Sequence, residues 1–321
     1  MGVVVQTDFA WPDTSVERGV IEAAGHTLVT GNPAPAAPEQ IERLIADHDP
    51  QAIMTCWAEI SARAILAPTE LRIVQRIGVG LDNIAVAAAT ERGAWVANVP
   101  DYCVGEVSDH AVALLLDWAR GTVALDRDVK AGGWNPAGAK LRRVSDLTIG
   151  IVGYGRIGRR TAAKLQAFGC RLLVHDRKAL VADGDVESLS LEGLLARSDA
   201  IILHVPLTTA THHLIDAPRL ALMRPGAFLI NVSRGPLVDN EALLAALQSG
   251  RLSGAGLDVV EGEPEPPRAL IERPDVIVTP HVAFSSDASL IELRRRSAEE
   301  VVRVLAGGRP HHPCNQPVER T

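Results

Sequence analysis

The sequence predicts an α/β protein of two domains, each a doubly wound parallel sheet covered by helices on both faces. Short apolar runs alternate with longer segments of helical period along the chain, the pattern that such a layered sheet imposes. At 321 residues the chain exceeds what one core ordinarily supports, so a second domain is expected. A Gly-x-Gly-x-x-Gly loop, Gly153 to Gly158, lies between a strand-like and a helix-like segment.

In the first domain the strand candidates are Val3 to Gln6, Ala52 to Cys56, Ile73 to Ile77 and Trp95 to Asn98. Helical pieces fall between them at Pro38 to Asp47 and Ile84 to Arg92. Val104 to Ala131 keeps an apolar period too long for a loop and too charged for a membrane span, and reads as one helix tying domains or subunits together. A second alternation follows at Thr148 to Val152, Arg171 to His175, Ala200 to Val205, Phe228 to Val232, Gly254 to Asp258 and Val276 to Thr279. The last helix, Asp287 to Leu305, and the Gly/Pro-rich tail Gly307 to Pro317 are expected back against the N-terminal domain, because termini often sit together. The domains so drawn are 1–99 plus 287–321, and 100–286, with a cleft between them.

A net charge of −7 repels phosphate backbones and anionic lipid surfaces, which argues against nucleic-acid or membrane partners. No run reaches the roughly 18 uninterrupted apolar residues of a membrane span, and the N-terminus lacks a basic segment followed by an apolar one. Cys56, Cys103, Cys170 and Cys314 form no C-x-x-C pair, so neither a zinc site nor a disulfide framework is indicated, and a reducing, cytoplasmic setting is expected. Cys103 reads as a small buried hydrophobe. His311 and His312, adjacent in an extended tail, read as solvated side chains rather than metal ligands.

The glycine loop has a physical logic. Gly153 permits the tight turn, Gly155 lets the backbone approach a pyrophosphate, and Gly158 lets helix and strand pack closely. Arg156 and Ile157 open the helix whose N-terminus offers N–H groups and partial positive charge to a phosphate. Asp176, at the end of the next strand, is placed to accept hydrogen bonds from adenosine ribose hydroxyls. Its charge repels a 2′-phosphate, so NAD is expected over NADP, with Arg177 and Lys178 arguing the other way. This half is Rossmann-like throughout, and the first half alternates in the same manner.

Seven segments then occur in a single order. They are Arg76-Ile-Gly-Val-Gly-Leu-Asp-Asn-Ile84, Asn98-Val-Pro-Asp-Tyr-Cys-Val-Gly-Glu106, the glycine loop, His204-Val-Pro-Leu-Thr208, Asn231-Val-Ser-Arg-Gly235, Asp258-Val-Val-Glu-Gly-Glu-Pro264 and Pro280-His-Val-Ala-Phe284. With them the chain resembles the D-isomer-specific 2-hydroxyacid dehydrogenases over essentially its whole length, and is most similar to their C-terminal-binding-protein-like branch. The resemblance implies hydride transfer between nicotinamide C4 of NAD and C2 of a small 2-oxo or 2-hydroxy acid, with Arg234, Glu263 and His281 as catalytic residues.

The chemistry asks for the same three residue types. Histidine is suited near neutral pH to protonate an alkoxide and, in reverse, to take a hydroxyl proton. A neighbouring carboxylate favours its cationic form, and the planar fork of an arginine binds a carboxylate while polarising a carbonyl. The resemblance further implies that Val205, Pro206, Val232, Ser233 and Asp258 line the nicotinamide and its ribose beside Arg234 and His281. It also implies that the N–H groups of Val79 and Gly80, in a glycine-flanked turn, hold the substrate carboxylate.

Trp57 and Phe284 read equally as walls for an apolar substrate tail or as core aromatics. Phe284 stands where branch members often carry tryptophan. Met54 to Ile60 lacks the arginine found in phosphoglycerate-oxidising members, so the phosphate contact is missing. The segment Val104 to Ala131 resembles the family's dimer-forming element, which makes a homodimer the expected assembly. Two further readings stay open: an NAD(H)-sensing interaction protein of the C-terminal-binding-protein type, and a dehydrogenase for formate or phosphite on the same scaffold.

Overall fold

A computed structural model describes residues 2–178 and 186–318. The chain divides into two units, Met1–Tyr102 with Ser286–Thr321, and Cys103–Ser285. In the first, strands β1 (Val3–Asp8), β2 (Thr27–Asn32), β3 (Ala52–Thr55), β4 (Ile73–Arg76) and β5 (Trp95–Ala97) form a parallel sheet in the order β2-β1-β3-β4-β5. Helices α1 (Ser15–Ala23), α2 (Pro38–His48), α3 (Ala62–Leu66) and α4 (Val86–Arg92) supply the crossovers that parallel strands require. The strand order reverses between β1 and β3, and the carboxyl ends of strands at such a point are where α/β sheets offer a crevice.

The second unit has strands β6 (Thr148–Val152), β7 (Arg171–His175), β8 (Val186–Ser188), β9 (Ala200–Leu203), β10 (Ala227–Asn231), β11 (Leu252–Leu257) and β12 (Val276–Val278). They lie parallel in the order β12-β11-β10-β9-β6-β7-β8. Strands β9 and β10 are buried on both faces, which is why they read as continuous apolar runs instead of alternating ones. Order reverses here between β6 and β9, so the glycine loop after β6 and His204 after β9 share the switch point.

The expected single helix Val104 to Ala131 is two helices, α5 (Val104–Arg120) and α6 (Thr122–Lys130). Gly121, at φ 63°, ends the first in the left-handed conformation that glycine adopts without steric cost. Asp117 then accepts from the Thr122 hydroxyl and, at 2.6 Å, from the Val123 N–H, which caps the second. The two differ in burial: α5 buries Val107, Ala111, Val112, Leu114 and Leu115, and α6 buries none of its residues. Helices α7 (Arg156–Ala167), α8 (Leu191–Arg197), α9 (Ala217–Leu222), α10 (Asn240–Gln248) and α11 (Arg268–Ile271) complete this unit.

Helix α12 (Asp287–Leu305) belongs to the first unit and packs on α1. The contact is built on charge: Arg294, 8% exposed, pairs with the fully buried Glu17 through Nε–Oε1 at 3.0 Å and Nη2–Oε2 at 2.8 Å. Beyond it the tail closes the edge of β5. Cys314 N–H donates to Val96 O at 2.7 Å, and Asn315 both accepts from Val96 N–H and donates to Ala94 O. The tail histidines stay at the surface, His311 with its side chain 59% exposed, but each has a partner. His311 engages Glu300 through its backbone N–H and its Nδ1, and His312 Nε2 lies 3.3 Å from Arg296 Nη2. The acidic and basic residues on α12 are their partners, which tail composition alone does not reveal. Among the described residues no helix is long and apolar enough to cross a membrane.

Breaking a buried pair from one side leaves an uncompensated charge, so Arg294→Ala is expected to cost about 3–5 kcal/mol. Chemical denaturation reads this directly. The double variant Glu17→Leu/Arg294→Met, which removes both charges, is expected to recover most of the loss; equal stability of the single variant and wild type would refute the pair's role.

Candidate active site

The glycine loop turns directly out of β6. Gly153 has φ +97°, and a Cβ there would sit 2.7 Å from the carbonyl carbon of His204, so this glycine lets the ends of β6 and β9 abut. A Cβ on Gly158 would lie 2.1 Å from the carbonyl oxygen of Gly153, which fixes glycine at the contact of α7 with the loop. Gly155 differs, because a Cβ there meets nothing within 4 Å. Open space therefore faces the first turn of α7, whose leading residues are Arg156 and Ile157 and whose first N–H groups lack helical partners.

Asp176, in the segment after β7, faces this loop. Its Oδ2 accepts from Tyr154 N–H at 2.9 Å and its Oδ1 from Lys178 N–H at 3.0 Å. Burial pushes its carboxyl up, but these two bonds and the positive charges of His175 and Lys178 outweigh it and hold the group below the usual carboxylate range. A space bounded by helix N–H groups and glycine, with an ionised carboxylate beside it, fits a dinucleotide's pyrophosphate and ribose.

The remaining candidates of this unit sit on strand-end loops. At the end of β10, Asn231 clamps the turn that follows: its Nδ2 donates to Arg234 O at 2.8 Å and its Oδ1 accepts from Ser233 N–H at 3.1 Å. Ser233 Oγ donates to Val205 O at 2.9 Å, which joins this turn to the Val205–Pro206 loop after β9. Val232 is buried beneath it. Gly235 packs straight onto the backbone of Val260 and Glu261, so the Arg234 turn rests on the segment leading to Glu263.

His281 Nδ1 lies 2.8 Å from Glu263 Oε1, with the two side chains 25% and 39% exposed. His281 has φ +52°, a conformation uncommon outside glycine, held by its N–H donating to Asp258 O at 2.8 Å. The Phe284 ring meets the imidazole edge-on at 6.1 Å. Asp258, expected along the cofactor, is 2% exposed, and its carboxylate accepts from Thr279 Oγ1 at 2.6 Å, Val282 N–H at 3.0 Å and Ala283 N–H at 2.9 Å. The donors of the 279–283 segment turn it inward, as a brace for the histidine loop.

In the first unit, Asn98 Nδ2 donates to Val79 O at 2.6 Å and Val99 N–H to Gly78 O at 3.1 Å, which fixes the Gly78–Gly80 turn. Among the described residues the N–H groups of Val79 and Gly80 meet no acceptor, the condition of an anion-binding turn. Trp57 rides on a loop organised by the fully buried Asp8, whose carboxylate accepts from the N–H groups of Cys56, Trp57 and Ala58 at 2.9, 2.6 and 3.1 Å. Cys103 is buried.

Sequence reasoning passes over Asp8 and meets His204 only as the first residue of a motif, with no role for its side chain. Asp8 lies past the apolar run that marks β1, and the signal for it is an acid at a strand's carboxyl end. His204 Nε2 lies 3.0 Å from Thr161 Oγ1, and burial pushes the imidazole down to about 3.

The glycines separate folding from binding. Gly155→Val is expected to keep the native circular dichroism spectrum and unfolding midpoint while weakening NADH binding, whereas Gly158→Val destabilises the unit itself. Equal NADH affinity for Gly155→Val and wild type in a fluorescence titration would remove the cofactor from this loop. His204 sets an acid limit: it stays neutral when folded but takes a proton from its ordinary 6.5 downward when unfolded. Its contribution is therefore complete above about 6.5 and lost as pH falls toward about 3, at up to about 1.4 kcal/mol per pH unit. Denaturation curves from pH 7 to 4 are expected to be less pH-dependent for His204→Gln than for wild type.

The D-isomer specific 2-hydroxyacid dehydrogenase NAD binding domain matches residues 112–283 of the chain. A glyoxylate reductase of Korarchaeum cryptofilum is 38% identical over 313 residues, 94% of each chain. A D-3-phosphoglycerate dehydrogenase of Mycobacterium leprae is 38% identical over 274 residues, 84% of this chain and 52% of its own length. Among solved structures, the TT0316 protein from Thermus thermophilus superposes with a TM-score of 0.89 at 31% identity, covering 98% of this chain and 100% of that one. The chain thus belongs to the D-isomer-specific 2-hydroxyacid dehydrogenases, NAD-dependent oxidoreductases that act on the CH–OH group of 2-hydroxy acids.

Proposed function

We propose that this chain interconverts a small, unphosphorylated 2-oxo acid and its D-2-hydroxy acid with NAD(H), His281 serving as acid and base. The observation that carries the reading is the His281–Glu263 pair at 2.8 Å on partly exposed side chains. NAD(H), when bound, supplies or accepts the hydride. His281 donates a proton to the oxygen at C2 in reduction and removes it in oxidation. Glu263 faces Nδ1, which orients the ring and assigns proton transfer to Nε2. Arg234 holds the substrate carboxylate and polarises the carbonyl, with the N–H groups of Val79 and Gly80 as further carboxylate donors. Val205, Pro206, Val232 and Ser233 flank the cofactor. Trp57 and Phe284 are the aromatic candidates for contact with the substrate's tail.

The absence of arginine from Met54 to Ile60 favours substrates without phosphate. Membership of the C-terminal-binding-protein-like branch rests on the motif residues. A homodimer that uses α6 is supported by its lack of buried residues and by Trp134 just beyond it, 83% exposed. The four cysteines are free thiols, in keeping with a cytoplasmic setting.

His281→Ala is expected to lower kcat by about 10² to 10⁴ with NADH affinity nearly unchanged, because the group acts in the chemical step. A screen of 2-oxo acids followed by NADH absorbance measures it, and near-normal turnover would contradict the assignment. Binding of NADH without turnover of any 2-oxo acid would replace the reading by an NAD(H)-sensing interaction protein. Turnover of formate or phosphite alone would replace it by that chemistry. The ionised Asp176 predicts kcat/KM roughly tenfold to a hundredfold higher with NADH than with NADPH. Asp176→Ala is expected to narrow that ratio, and equal efficiency of the two cofactors in wild type would overturn it.

A further inference from the structure

Two consecutive histidines follow the turn at Thr208–Thr211, and the backbone between them is unusual. His213 has φ +48°, in the left-handed region where a side chain other than glycine's is uncommon. Extended neighbours would point their side chains to opposite faces. Here the two rings lie side by side, with centroids 4.0 Å apart and planes tilted by 30°.

Both Nε2 atoms face one carboxylate. His213 Nε2 lies 3.0 and 3.2 Å from the two oxygens of Glu261, and His212 Nε2 lies 3.7 Å from Oε1. All three donor groups lie within 4.8 Å of one another. An ion pair needs one histidine, and the second nitrogen is beyond hydrogen-bonding distance. A tetrahedral zinc-class ion bound at about 2.0–2.2 Å by imidazole and carboxylate spaces neighbouring donors about 3.4 Å apart, and the observed nitrogen–oxygen separations fall on both sides of that value.

The frame around these side chains is already fixed. His213 N–H donates to Pro236 O at 2.8 Å, Asn240 Nδ2 donates to Glu261 O at 2.9 Å, and Gly235 abuts the Glu261 backbone. The side chains are one-third to one-half exposed, so an ion has access and a fourth position faces water. Two imidazole nitrogens and one carboxylate suit zinc, cobalt, nickel or copper, and suit magnesium and calcium poorly.

We propose that His212, His213 and Glu261 form a binding site for a divalent transition-metal ion of the zinc class, separate from the catalytic trio. Among the described residues no other group of three or more histidine, cysteine and acidic side chains has this geometry.

The test is a calorimetric titration of chelator-stripped full-length protein with zinc chloride. One ion per chain is expected, with a rise in Tm, and cobalt(II) in its place is expected to give the visible spectrum of a low-coordinate nitrogen and oxygen site. His212→Ala and Glu261→Gln are expected to weaken binding by more than about tenfold, and the control His311→Ala to leave it unchanged. His212→Ala is also expected to retain the wild-type fold and metal-free turnover, which separates lost ligation from lost structure. Absence of saturable zinc binding in wild type, or wild-type affinity in His212→Ala, overturns the site. Equal binding of magnesium overturns the assigned metal class.

Discussion

A carboxylate that is 2% exposed has to find donors, because burying an unpaired charge costs several kcal/mol. Asp258, immediately after β11, finds them in the hydroxyl of Thr279 and the N–H groups of Val282 and Ala283. These three bonds dictate the path of the chain on both sides of His281. The histidine's own N–H is drawn to Asp258 O, and the residue is held in a conformation it would not choose alone. His110 Nε2, 2.9 Å from Thr279 Oγ1, adds a further anchor from α5. The contact of His281 with Glu263 is therefore an outcome of a buried acid, not of the two side chains meeting by themselves.

The first unit uses the same device. Asp8 ends β1 beside the reversal of strand order and gathers three successive N–H groups from the loop after β3. In both sheets an acid at the carboxyl edge of a strand converts a flexible connection into one with a determined shape. Side chains carried on those connections, Trp57 in one unit and His281 in the other, are thereby positioned from within, leaving their outward atoms for chemistry.

Strands buried on both faces announce themselves, because no position along β9 or β10 tolerates a polar substituent before Asn231. The glycine loop is equally legible, since steric contact at Gly153 and Gly158 leaves only one residue type that fits. Edge strand β2 is not, because only Leu28 of its six residues is buried and Leu28-Val29 is its whole apolar run. Helix α1 hides for a related reason, with Glu17 and Ile21 as its buried residues and a glycine at 19. The break at Gly121 is obscured by an apolar period that continues through it, although α6 buries nothing. Asp258 and Asp8 are invisible as organisers because their donors are mostly backbone N–H groups, which every sequence possesses. Adjacent His212 and His213 give no signal because extended geometry sends neighbours apart, and the left-handed backbone at His213 reverses that.

The return of α12 and the tail to the first unit sets an order on the making of the protein. Glu17 is joined to a partner 277 positions later, and the open edge of β5 is covered by Cys314 and Asn315. Residues 103–285 are contiguous, so on a ribosome they emerge together while the first sheet still lacks its last helix. Until that helix arrives, the nascent first unit holds an unmatched acid and an uncovered strand edge, the two features that recruit chaperones and promote edge-to-edge pairing. The unit that begins first is finished last, and a chain halted before Arg294 carries its own mark of incompleteness.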